Sequence, residues 1–179
     1  MKVGLVRHFE VEYKLPSLFT WITPEQFEQW LNEYEMADIK NCEAEPDIIW
    51  GKCYSSDSPR AVKTAQKLFN GPINETRILR ELVVSPPIRK SIKLPLCLWF
   101  VIGRIAWMLS HKSQVESKLM FEKRLKQIVQ EIILNQNTNI LIVSHGALLM
   151  YLRKELIKNG FKGPNFKIAT NGKIYVFEK

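Results

Sequence analysis

The run NILIVSHG, residues 139–146, decides the fold. After Asn139, residues 140–143 are continuously aliphatic and rich in β-branched side chains. A strand with one wet face alternates apolar and polar residues; a strand covered on both faces need not. The run therefore reads as a central parallel strand. Ser144, His145 and Gly146 follow it, and a helical pattern continues to about Lys158. In open α/β sheets, ligands bind beyond the carboxyl ends of the strands, so the polar residues here fall where chemistry is done.

Working outward, two other strands end in the same manner. Residues 2–7 form a short Val- and Leu-rich strand that stops at Arg7 and His8. Residues 52–55 lead into Ser55-Ser56-Asp57, and Ser58-Pro59 then opens a helix through about Phe69, ended by Asn70-Gly71-Pro72. Thr23-Pro24-Glu25-Gln26 carries a capping residue, a proline suited to the first helical position and a capping-box Gln. That helix runs to about Met36 and buries Phe27, Trp30, Leu31 and Tyr34 at helical spacing. Residues 41–47 read as loop and 76–82 as extended chain. Ser85-Pro86-Pro87 breaks the chain, and an amphipathic helix spans about 115–134. Asn171-Gly172, between 166–169 and 173–177, is a strong hairpin signal. The alternation predicts a three-layer α/β sandwich: a mostly parallel central sheet, helices on both faces and a C-terminal antiparallel hairpin.

The chain of 179 residues is expected to form a single domain, 1–179, with an apolar lid or insertion at about 85–113. It carries 26 Lys and Arg against 18 Asp and Glu, a formal excess of 8 positive charges. That excess suits anionic partners. Nucleic acid is not expected, because no Cys/His finger spacing, aromatic RNA-binding strand or dense basic block is present. The three cysteines, Cys42, Cys53 and Cys97, match no metal motif and read as reduced thiols of a cytoplasmic protein. Residues 94–109, LPLCLWFVIGRIAWML, are nearly continuously apolar. They fall short of the roughly 20 residues a membrane-spanning helix needs, and Arg104 interrupts them. A core or lid helix is the first reading. A peripheral membrane contact and a homodimer interface are the others.

If the three strand ends are neighbours, His8, His145, Arg7 and Arg60 meet in one pocket. Guanidinium groups match phosphate oxygens with a planar fork of donors. A neutral imidazole can attack phosphorus and form a phosphohistidine. A second imidazole, protonated, can neutralise the transferring oxygens, and the helix N-terminus just past Gly146 adds backbone donors. A metal-dependent hydrolase is the weakest alternative: with only His8, His111 and His145, no short ligand pair exists.

These blocks resemble the histidine phosphatase superfamily, the phosphoglycerate-mutase-like family. LVRHFEV is similar to its Leu-Val-Arg-His-Gly-Glu signature, YSSDSPRAVKTA to its Ser-Ser-x-x-x-Arg-Ala-x-x-Thr-Ala block, ILREL to the segment with its acidic residue, and LIVSHGALLMYL to its Val-Ser-His-Gly block. The resemblance implies a metal-independent phosphatase, without cofactor, acting on a small phosphorylated substrate or a phosphoprotein. It implies His8 as nucleophile, Arg7, Arg60 and His145 as the phosphate pocket, and Glu81 as proton donor. From the residues alone, Glu75, Glu10 and Asp57 also lie near strand ends. Phosphoglycerate mutase-type transfer, a protein phosphohistidine phosphatase, and a non-catalytic relative binding a phospholigand or a protein are the alternatives. Two departures stand out. Phe9 occupies the position of the family's Gly, with altered pocket access as the expectation. Lys14 stands where many members place Asn, and is expected to bring a charge to the phosphate or to a second anionic group.

Overall fold

The computed structural model describes residues 1–14, 16–40, 48–88, 90 and 92–179. The loop expected at 41–47, and Cys42 with it, lie outside the described residues. In chain order the elements are β1 (Lys2–Arg7), β2 (Trp21–Ile22), α1 (Pro24–Met36), β3 (Lys52–Ser56), α2 (Pro59–Leu68), β4 (Ile73–Thr76) and a 3₁₀ turn at Arg77–Leu79. They continue with β5 (Leu94–Pro95), α3 (Leu96–Met108), α4 (Lys118–Gln127) with a π-helical continuation at Ile128–Leu134, β6 (Ile140–Ser144), α5 (Gly146–Lys158) and β7 (Ile174–Glu178). The residues fall into two compact units. One contains Met1–Glu12, Asp38–Glu81 and Arg124–Lys179; the other contains Tyr13–Ala37 and Leu82–Lys123.

The first unit is an α/β sheet in the order β4-β3-β6-β1-β7. Neighbours in the first four strands are parallel, and β7 runs antiparallel to β1. All five residues of β6 are buried, as a central strand covered on both faces requires. The pleat sends Val6, Cys53, Leu141 and Val143 to one face, where they pack with Ala61, Ala65 and Leu68 of α2. β6 and β1 share one register, Val6 opposite Val143 and Arg7 opposite Ser144. His8 and His145, the next residue of each strand, therefore emerge side by side.

Two expectations are corrected. Residues 166–169 form no strand, so the C-terminal hairpin is absent. Phe166 packs on Tyr175 through its ring instead, with centroids 4.2 Å apart, while β7 takes its ladder partner from β1. The Asn-Gly turn does exist, with Gly172 at φ 71°, but it serves β1: Gly172 N–H donates to Arg7 O at 2.9 Å. The extended stretch expected at 76–82 lies earlier, at Ile73–Thr76, because the chain joins β3 directly after Pro72 and turns at Arg77.

In the second unit α1 starts with the expected capping box: Gln26 N–H donates to Thr23 Oγ1 and Thr23 N–H to Gln26 Oε1. Phe27 is buried with Leu96 and Trp99 of α3, and Trp30, Leu31 and Phe100 pack around them. Trp99 is satisfied by donating Nε1–H to Ile22 O at 2.9 Å. The apolar segment thus forms a helix in a unit that also includes residues 13–37. Among the described residues no helix is long and apolar enough to cross a membrane.

Candidate functional site

The carboxyl ends of β1, β3 and β6 assemble one polar cluster inside the first unit. The rings of His8 and His145 lie edge to face, centroids 5.3 Å apart. Both are buried, at 2% and 1% exposure, and Arg60 is 2% exposed. Arg60 reaches the cluster from the first turn of α2, whose start at Pro59 follows from the fixed φ of proline at that position.

The hydrogen bonds assign the protons. His8 Nδ1 lies 2.7 Å from Phe9 O. A carbonyl only accepts, so Nδ1 carries the hydrogen and Nε2 keeps a lone pair. His145 Nδ1 lies 3.3 Å from Arg60 Nη2, which only donates, so its hydrogen resides on Nε2. That Nε2–H donates to Ser56 Oγ at 2.9 Å, with Ser58 Oγ at 3.4 Å. Burial pulls the pKa of His8 down to about 3, helped by the positive charges of Arg60 and Arg7 and opposed by the bond to Phe9 O. Burial first, then Arg60, His8, Arg7 and Arg124, hold His145 well below the usual imidazole range. The second imidazole is thus neutral in this structure, where the sequence reading expects it charged.

Arg7 lies against the start of α5: its Nε is 3.5 Å from where a side-chain carbon on residue 146 would stand. That is an ordinary van der Waals distance, so the approach of Arg7 does not depend on glycine at 146. Arg7 Nη1 donates to Ala169 O at 3.2 Å, while its buried Nε has no hydrogen-bond partner among the described residues. A buried donor left over in a cationic cluster suits an anion, which would satisfy it.

Glu81 is also brought here. Ser144 Oγ–H donates to Leu79 O at 2.6 Å, and Arg124 Nη1 donates to Ile78 O and Arg80 O at 2.8 Å each. These bonds hold segment 78–80 over the end of β6. The Glu81 carboxylate then accepts N–H groups of Ala147 and Leu148 at 3.1 and 3.0 Å. Two of the helix donors that the sequence reading offers to phosphate are thereby taken. Asp57, one alternative acid, is held below the usual carboxylate range by its two bonds from Arg80. Lys14 belongs to the second unit, where it lines a groove of about 420 Å³ with Tyr13, Gln29, Trp30 and Glu33. Among the described residues no three His, Cys, Asp or Glu side chains gather as a metal would need.

Phe9 does not enter the cluster. Its ring is 3% exposed and packs in the core with Val6, Ile39, Ala61 and Ala65. Among the described non-glycine residues only Ser110 has a positive φ, so position 9 does not require glycine here. The glycine that matters is Gly172: a side-chain carbon there would come within 2.7 Å of the Phe9 ring.

Four further residues shape the site without a role in the sequence reading. Ser56 and Ser58 orient His145. Thr64 Oγ1 accepts Phe9 N–H at 2.9 Å and donates to Arg60 O at 2.7 Å. Asn171 Nδ2–H donates to His8 O at 2.7 Å. Ser56 and Thr64 stand within the Ser-Ser…Thr-Ala block, which was the available signal. Asn171 offered only turn propensity.

An α/β sheet whose parallel strand ends gather two imidazoles and two guanidiniums is the frame on which the comparisons fall. Residues 5–178 match the model of the histidine phosphatase superfamily, branch 1. The chain belongs to that family. Among solved structures it is similar to an α-ribazole phosphatase from Shigella flexneri (18% identity, TM-score 0.59) and to a phosphoserine phosphatase from Entamoeba histolytica (18% identity, TM-score 0.55). Each alignment covers 98% of this chain and 89% of the other. At that identity the likeness concerns the fold. Comparison with curated proteins returns no match.

Proposed function

We propose that this chain is a phosphomonoesterase working through a covalent phosphohistidine on His8. The observation that carries the reading is the His8–Phe9 bond of 2.7 Å, which commits Nδ1 as donor and leaves Nε2 as a neutral nucleophile. In the proposed first step the Nε2 lone pair attacks phosphorus. The ester P–O bond breaks, and its electron pair leaves on the alcohol oxygen with a proton from Glu81. In the second step water gives a proton back to the Glu81 carboxylate and adds to phosphorus. The P–N bond breaks, returning neutral His8 and inorganic phosphate. Arg7 and Arg60 balance the phosphoryl charge throughout, and His145, accepting from Arg60 through Nδ1, holds that guanidinium in place. The sequence requires neither a metal nor an organic cofactor.

Glu81 has to exchange its helix N–H partners for the ester oxygen to act this way, so it is tested separately. Activity is measured on p-nitrophenyl phosphate and on an alkyl phosphate. His8→Ala should abolish both, and wild type quenched in alkaline detergent should carry a base-stable phosphoryl group that acid then releases. Equal rates for wild type and His8→Ala refute the enzyme and leave a phospholigand-binding relative. Glu81→Gln should slow the alkyl ester far more than the aryl ester, whose leaving group needs no proton. Equal slowing assigns Glu81 to holding α5 and favours the phosphohistidine-phosphatase alternative. Isomerised phosphoglycerate without phosphate release would indicate mutase-type transfer.

A further inference from the structure

The outer face of α3 is apolar where water requires polar residues. Trp99, Gly103, Ala106 and Trp107 are buried on one side of the helix. The opposite stripe at 98, 101, 105, 108 and 109 consists of Leu98, Val101, Ile105, Met108 and Leu109. Val101 and Ile105 are each about half exposed, and Leu109 is 76% exposed. A surface helix normally turns polar side chains outward. Here the five outward positions hold none.

The neighbouring sequence continues the pattern and adds charge. Ile88 and Ile92, both partly exposed, alternate with the exposed Lys90 and Lys93 before α3. After it come the exposed Lys112, Val115, Lys118, Leu119 and Met120, with Lys118 3.9 Å from Glu122. Residues 82–123 hold seven Lys and Arg (89, 90, 93, 104, 112, 118, 123) against Glu116 and Glu122. A second copy of the chain is a poor occupant: a twofold contact places a patch against itself, so this basic border would face its own charge. An apolar stripe flanked in the chain by exposed lysines on both sides instead complements an anionic bilayer, whose headgroups meet the ammonium groups while the aliphatic side chains enter the acyl boundary.

We infer that the outer face of α3, with its lysine border, is a peripheral docking surface for anionic lipid membranes. The protein rests on the bilayer and does not cross it. The test uses the full chain with large unilamellar vesicles, one set of phosphatidylcholine alone and one containing phosphatidylglycerol, read by co-sedimentation. Wild type should bind the anionic set and be released by high salt. Val101→Glu with Ile105→Glu should weaken binding at least about tenfold. Lys93→Gln with Lys112→Gln should weaken it about fivefold per charge. Circular dichroism and sedimentation velocity on each variant establish that it is folded and report its oligomeric state. Failure of folded wild type to bind anionic vesicles overturns the inference, as does equal binding to both sets. A wild-type dimer that Val101→Glu/Ile105→Glu converts to monomer assigns the face to a second copy and also overturns it. Capture by an acidic amphipathic peptide without any vesicle binding assigns it to a protein partner.

Discussion

Acid should unfold this protein through its two site histidines, and the effect can be sized for His8. Its imidazole titrates near 6.5 in the unfolded chain and at about 3 when folded. Between those values the unfolded chain binds a proton that the folded chain refuses. Stability therefore rises with pH across the window. The His8 contribution is complete above about 6.5 and is lost as pH falls toward 3. Each pH unit inside the window costs about 1.4 kcal/mol, so the fall from pH 7 to 5 costs about 2 kcal/mol from His8. His145 adds a loss of the same sign. Against a total of roughly 5–15 kcal/mol this is large. The comparison is with His8→Asn, whose amide can still donate to Phe9 O but does not titrate. Urea denaturation, followed by far-UV circular dichroism and tryptophan fluorescence, is run at pH 7, 6 and 5 on both proteins. Acid protonation of shared carboxylates cancels in the difference. Wild type should lose about 2 kcal/mol more than His8→Asn between pH 7 and 5. Equal losses would show that the His8 ring is charged, or wet, in the native state, and the neutral-nucleophile argument would go with them.

Two substitutions test how the site is held. Phe9→Gly installs the residue usual in the family, yet here it should destabilise by about 3–5 kcal/mol, because it empties a core position; a melting temperature equal to wild type would contradict that. Thr64→Val keeps the volume and removes both the acceptor for Phe9 N–H and the donor to Arg60 O. It should cost about 1–3 kcal/mol of stability and lower kcat with KM little changed, and a loss confined to stability would deny Thr64 a positioning role.

What could be read from sequence follows a physical line. His8, His145 and Arg60 were legible because each follows a strand by one or a few residues, and a parallel sheet brings its carboxyl ends together whatever the loops do. The stretch 140–143 reads as central because a half-wet strand alternates apolar with polar residues and this one does not. Turn propensity carried less. Asn171-Gly172 announces a turn without naming the strand it serves, and the turn closes on β1 instead of on 166–169. The motif position of Phe9 did not reveal where its side chain goes. Its ring follows the apolar face that α2 shares with Val6. Glu81 was legible as an acid near the site, but its engagement with the α5 backbone depends on how Ser144 and Arg124 pin residues 78–80. The second unit was only half visible, because residues 13–37 and 82–123 are distant in the chain.

The backbone around His8 shows why a large side chain can follow it. His8 N–H donates to Ser144 O at 2.9 Å, and His8 O accepts from Asn171. Phe9 N–H goes to Thr64, and Phe9 O receives the imidazole Nδ1–H. All four main-chain polar groups of residues 8 and 9 are thus engaged, and Thr64 and Asn171 supply side-chain partners from outside the strand. A glycine at position 9 would leave the segment dependent on those bonds alone, with the extra conformational freedom that glycine brings. Phe9 adds a hydrophobic anchor at the residue whose carbonyl fixes the tautomer of His8. Small rotations of that peptide would turn the carbonyl from Nδ1, and a proton could then settle on Nε2 and end its nucleophilicity. The ring in the core therefore supports the carbonyl that fixes the tautomer of His8, and glycine is needed at 172, where a side-chain carbon would come within 2.7 Å of the Phe9 ring.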